Sequence, residues 1–134
     1  MLPTIPGLTD TRRCHCLEAR RRARAITRLY EEALRPVGLR ATQFSVLAAL
    51  AQIGSSPLTP LAELLGAEIS TLTRSVDLLS RRGLLADVAS ADRRQRAVRL
   101  TREGASLLQT ALPLWRGVQD GLDSERSTGD ARGE

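Results

Sequence analysis

The amino-acid sequence predicts a mainly α-helical single domain carrying one small β-hairpin, and three observations lead there. The chain has 134 residues, enough for one hydrophobic core and little else. Its 42% apolar and 26% charged residues lie near the globular average, which excludes wholesale disorder. Apolar residues recur at helical steps through most of the chain and alternate in the manner of strands only within residues 84–100.

The elements follow in order. Ile26, Leu29, Tyr30, Ala33 and Leu34 repeat at three- and four-residue steps, so Arg12 to Arg35 reads as one long helix that Pro36 and Gly38 end. A second helix runs from Thr42 to Ile53 with Phe44, Leu47 and Ala51 on one stripe and Gly54 as its stop. After the turn Ser55, Ser56, Pro57, Thr59 is an N-cap with Pro60 at the first helical position, which opens a short helix through Leu65 that Gly66 closes. The fourth helix spans Ile69 to Arg82. It buries Ile69, Leu72, Val76 and Leu79, and turns Ser70, Thr71, Arg74, Asp77 and Arg81 outward.

Strands over Leu84 to Val88 and Arg96 to Leu100 flank a polar, Arg-rich loop, Ala89 to Gln95. Thr101 caps a final long helix with Ala105, Leu108, Leu112, Trp115 and Leu122 on its apolar stripe, kinked near Gln109 by Pro113. The expected organisation is a flexible segment over residues 1–11, a domain over 12–122, and a disordered tail over 123–134 that has no apolar face to bury.

Two short helices joined by a tight turn and followed by a hairpin form the winged helix-turn-helix plan, here framed by long N- and C-terminal helices. Charge fits that plan. Twenty basic residues against fifteen acidic give +5, the footprint of a chain that meets a polyanion. Residues 12–40 hold nine Arg against three Glu, and residues 74–102 hold eight Arg against three Asp, so the excess sits in two stretches. A helix with polar outward residues fits a major groove about 12 Å wide. The hairpin tip reaches sideways, where Arg93, Arg94 and Arg96 are placed to enter an adjacent minor groove. Arg81 and Arg82 are candidates for phosphate contacts, which position a protein without reading sequence.

Other classes find less support. No apolar run has the length of a membrane span, and MLPTIPGLTD lacks the basic start and apolar stretch of a signal peptide, so no membrane partner and a cytoplasmic location are expected. Cys14, His15 and Cys16 supply the only Cys and His residues, short of a metal ligand set within one chain. With one His, no glycine-rich phosphate loop and no clustered carboxylates, there is no catalytic constellation, and neither a metal nor another cofactor is expected.

The run LAELLGAEISTLTRSVDLLSRRGLL, followed by ADRRQRAVRLTREG, resembles the MarR family of dimeric bacterial transcriptional regulators, and LRATQFSVLAAL resembles that family's second helix. The likeness covers about residues 14 to 118 and is most specific in the wing, where Asp92, Arg94, Val98, Leu100, Thr101 and Gly104 fit the family pattern. The resemblance implies a homodimer that binds a pseudo-palindromic operator in double-stranded DNA. Arg94 would be the wing-tip residue, Asp92 would orient it, and Ser70, Thr71, Thr73 and Arg74 would belong to the recognition helix. Thr73 has a second reading, as a residue that faces the domain interior and hydrogen-bonds there. The DNA-binding lobe would span about 42–101, with dimerisation helices at about 12–36 and 102–122; the sequence ends where the family's sixth helix would continue, which bears on the extent of the dimer interface.

The resemblance also implies release of DNA by a small aromatic compound or by cysteine oxidation. Cys16 stands fourteen residues before Tyr30, a register similar to the organic-peroxide-sensing branch, in which a Tyr hydrogen-bonds the reactive thiol; where that branch has a second Tyr, this chain has Arg20. A neighbouring guanidinium and the start of a helix are settings in which thiols react. The other reading of Cys14 and Cys16 is two small residues at a helix start. The alternative function is a winged-helix module that binds protein or RNA and does not read DNA.

Overall fold

A 3-10 turn over Leu8–Arg13 leads into helix α1 (His15–Leu34), a second 3-10 turn (Arg35–Val37), helix α2 (Ala41–Ile53) and strand β1 (Ser55–Pro57). Helices α3 (Leu58–Leu65) and α4 (Ile69–Arg81), strands β2 (Leu85–Val88) and β3 (Ala97–Leu100), and the long helix α5 (Arg102–Arg132) complete the chain in the computed structural model, which describes residues 1–132.

Helix α2 is the centre of the core. It buries Gln43, Phe44, Val46, Leu47, Ala49 and Leu50, a face wider than the single stripe the spacing predicts, because α1, α3, α4, α5 and the sheet all pack against it. Ala51, on the predicted stripe, is exposed. The buried Gln43 is satisfied by accepting the Arg40 amide at 2.9 Å, which closes the start of the helix. Between α3 and α4, Gly66 takes φ 61°, a left-handed conformation that residues with a Cβ adopt at a cost, and its amide caps α3 on Ala62 and Glu63. This tight turn sets α4 across α2. Helix α4 buries Leu72, Val76 and Leu79 as predicted, but Ile69 is 48% exposed, since the stripe outruns the core at its first residue.

The sheet has three strands, not two. Ser55–Pro57, predicted as a turn, pairs antiparallel with β3, giving the order β1-β3-β2. Three residues ending in proline carry no alternation to read; the partner is forty or more residues away in sequence. Because the strand runs straight into α3, that helix begins at Leu58, and the Leu58 amide donates to the Arg96 carbonyl. Thr59 therefore lies inside the helix and is not its cap. The other departures are at the ends. Leu8–Arg13 is ordered as a 3-10 turn within and just beyond the segment predicted to be flexible, and α1 starts at His15. Helix α5 passes through Pro113 and beyond Leu122 to Arg132. Extending an existing helix costs far less than starting one, so polar residues carry it onward, with the Thr128 hydroxyl donating to the Ser124 carbonyl at 3.0 Å. Residues 133 and 134 of the predicted tail lie outside the described residues.

The start of α5 is docked on the turn between α4 and β2. Thr101 caps α5 by accepting the Gly104 amide at 3.0 Å, as predicted. Its hydroxyl donates to the Gly83 carbonyl at 2.6 Å and its amide to the Leu84 carbonyl at 3.1 Å. At Gly104 the approach is so close that a Cβ would lie 2.2 Å from the Leu84 oxygen. Farther along, the Tyr30 hydroxyl donates to Gln119 Oε1 at 2.7 Å, tying α1 to α5, and the Trp115 ring stacks on Phe44 at 5.9 Å. Burial first, and the Asp123 carboxylate second, push the Tyr30 phenol above its ordinary value.

Two outcomes follow from these contacts. Gly104→Ala should destabilise the fold by about 2 kcal/mol despite alanine's better helix propensity, because a backbone carbonyl cannot step aside; thermal unfolding measures it. The raised Tyr30 value contributes stability that is whole below about pH 10 and is lost as pH rises through the higher folded-state value. Denaturant titrations at rising alkaline pH should show this loss in the parent chain and not in Tyr30→Phe, which at neutral pH should cost about 1 kcal/mol.

Candidate nucleic-acid interface

The outward side of α4 presents Ser70, Thr71 and Arg74 exposed within its first two turns, the end of a helix that enters a groove. The Thr73 hydroxyl donates to the Ile69 carbonyl of its own helix at 2.8 Å, an exposed bond that neither faces the domain interior nor reaches outward. Arg81, at the last turn, is exposed. Arg82 Nη1 donates to the Gly38 carbonyl at 2.7 Å, so the residue predicted to touch phosphate links the end of α4 to the junction between α1 and α2. Gly38 sits at φ 67°, and a Cβ there would meet the Arg82 guanidinium at 3.5 Å.

The wing tip is built by Asp92. Its Oδ1 accepts the Arg94 amide at 2.9 Å and its carbonyl accepts the Gln95 amide at 3.0 Å, so carboxylate and main chain together fold residues 92–95 into a turn. A backbone amide held by an ionised carboxylate is a charge-assisted bond, the role predicted for Asp92. Arg93 and Arg94 stand exposed at this turn, and neither makes a side-chain hydrogen bond or ion pair among the described residues.

Arg96 departs from its predicted place. Its Nη1 donates to Asp77 Oδ1 at 2.5 Å and its Nε to Asp87 Oδ1 at 3.0 Å. Bonds to the two carboxylates, Asp77 first, hold its guanidinium above even the usual arginine range. The side chain is therefore spent inside the lobe, bridging α4 and β2. Sequence reading missed Asp87 as a partner, since nothing in local spacing reveals a pair that closes across a hairpin. It also passed over Arg99, exposed on β3 beside the wing.

The thiols lie elsewhere. Cys14 and Cys16 are exposed at the start of α1, where Arg20 Nη2 lies 3.7 Å from Cys16 Sγ. Tyr30 is not a partner of Cys16 within the chain: fourteen residues along one helix separate them by about 21 Å, and the Tyr30 hydroxyl is bonded to Gln119. A separate cleft of about 470 Å³ opens between α2, α3 and α5, lined by Phe44, Ala48, Leu65 and Trp115 among others. No helix among the described residues is long and apolar enough to cross a membrane.

Comparisons with known proteins agree with this geometry. A family model described as the MarR family matches residues 39–95. The transcriptional regulator MosR of M. tuberculosis, solved in complex with DNA, is 40% identical to this chain, with 90% of this chain and 92% of that one covered and a TM-score of 0.76. A second structure of MosR aligns at 36% identity over 92% and 93% of the two chains, with a TM-score of 0.77. A mutant of MarR from E. coli complexed with operator DNA shares the fold at 23% identity, 89% and 86% coverage and a TM-score of 0.77. No curated protein matches the sequence significantly. None of these likenesses favours a module that binds only protein or RNA. With identity of 40% sustained over 90% of its length, the chain belongs to the MarR family of transcriptional regulators.

Proposed function

We propose that this regulator acts in the cytoplasm as a homodimeric repressor, with residues 42–101 as its DNA-binding lobe. In that reading Ser70, Thr71 and Arg74 meet base edges in the major groove, and Arg94, with Arg93 beside it, enters the flanking minor groove. One observation carries this reading: the Asp92 turn presents two unpaired guanidinium groups on the same lobe as an exposed polar helix start. MosR, at 40% identity, was crystallised with DNA, which supports the same partner here.

Dimerisation through α1 and α5 is supported by the apolar side chains these helices leave open, Leu29 at 46% and Leu112 at 40% exposure, together with half-buried Leu17, Ile26 and Leu122. Two heads related by a two-fold axis fit half-sites about one helical turn apart. Two routes of release are proposed. The aromatic lining of the cleft between α2, α3 and α5 fits a small aromatic compound. The exposed Cys16, with Arg20 beside it, fits oxidation.

A gel shift with duplex DNA from upstream of the protein's own gene tests the reading. A discrete complex that weakens steeply between about 50 and 200 mM salt is expected, as phosphate contacts release counterions. Arg94→Ala should cost about tenfold or more in affinity without altering the unfolding midpoint, and Asp92→Ala should weaken binding in the same direction by loosening the tip. Failure of the folded dimer to shift any duplex at low salt would sink the proposal.

A further inference from the structure

Arg96 occupies an unusual position. Its backbone carbonyl accepts the Leu58 amide at the start of α3, its Nη1 reaches Asp77 on α4, and its Nε reaches Asp87 on β2. One residue thus joins three elements at the loop end of the paired strands, just before Ala97 opposite Val88 and two positions from Arg94. The trio carries one positive and two negative charges, a net −1 within a face that is otherwise arginine-rich. A net anion is a poor phosphate contact, so direct binding to DNA does not account for this arrangement. Nor does stability. The three side chains remain 33%, 42% and 67% exposed, and ion pairs so accessible to water contribute little to folding. What a forked, planar donor held by two carboxylates does supply is direction.

We propose that Arg96 is a positioning residue: by clamping Asp77 and Asp87 it fixes the angle between wing and recognition helix, so that Arg94 and the start of α4 engage neighbouring grooves together. This rests on the DNA-reading function proposed above. Without the clamp the hairpin pivots about its base, and Arg94 spends binding free energy on being ordered at the groove.

The test is operator affinity, with the unfolding midpoint as control, for the parent chain, Arg96→Ala and Asp77→Asn, each with and without Arg94→Ala. Asp77→Asn is the gentler change and keeps the test valid should Arg96→Ala fold poorly. Both clamp variants are expected to bind about tenfold more weakly with midpoints within a few degrees of the parent. Arg94→Ala should then cost less than about threefold in either clamp background against about tenfold alone, the non-additivity of residues acting as one unit. Tighter or unchanged binding by Asp77→Asn would overturn the inference, because removing a carboxylate would then have freed Arg96 to meet phosphate itself. An equal Arg94→Ala penalty in every background would also overturn it. No Arg94→Ala penalty in the parent chain would instead remove the underlying DNA-reading proposal.

Discussion

The surface proposed to face DNA depends on how α5 begins. Thr101 is bonded to the Gly83 carbonyl through its hydroxyl and to the Leu84 carbonyl through its amide, while Gly104 lets the helix backbone settle against the same Leu84 oxygen. Gly83 and Leu84 are the hinge between α4 and β2, so one joint holds the end of the reading helix, the first strand of the wing and the root of the long C-terminal helix. No side chain fits in that contact. A displacement of α5 is therefore handed to the lobe as a rigid shift, because packed backbone has almost no compliance.

Charge is divided between two tasks. Arg96 and Arg82 are engaged within the protein surface, one by a pair of carboxylates and the other by the Gly38 carbonyl, and both brace α4. Arg93 and Arg94 are held out by main-chain geometry. Counting arginines in the sequence cannot separate these classes, since the distinction rests on which carboxylate or carbonyl the fold brings within 3 Å. Arg40, two residues from Gly38, is likewise paired, with Glu31 at 3.0 Å.

The order of helices, the stop glycines, the Thr101 cap and the hairpin were legible in the sequence because each rests on local chemistry: periodic apolar residues, a positive φ, a hydroxyl three residues before an amide. What escaped was non-local. Strand β1 exists only because β3 lies beside it, Ile69 is open because the core ends before it, and the Arg96 clamp closes between residues nine and nineteen positions apart. The thiol register does not bring its two residues together within one chain. A spacing of fourteen places Cys16 and Tyr30 on one helix yet keeps them about 21 Å apart, so sequence separation alone could not make them neighbours.

The sheet order β1-β3-β2 also governs how the molecule behaves in a crowd. Its best strand is sheltered in the middle, and one border is a three-residue strand closed by Pro57, whose ring nitrogen has nothing to donate. A foreign strand seeking a template finds a frontier too brief to zip onto. Along that border, neighbouring copies can stay separate bodies and need not stitch into a shared ribbon.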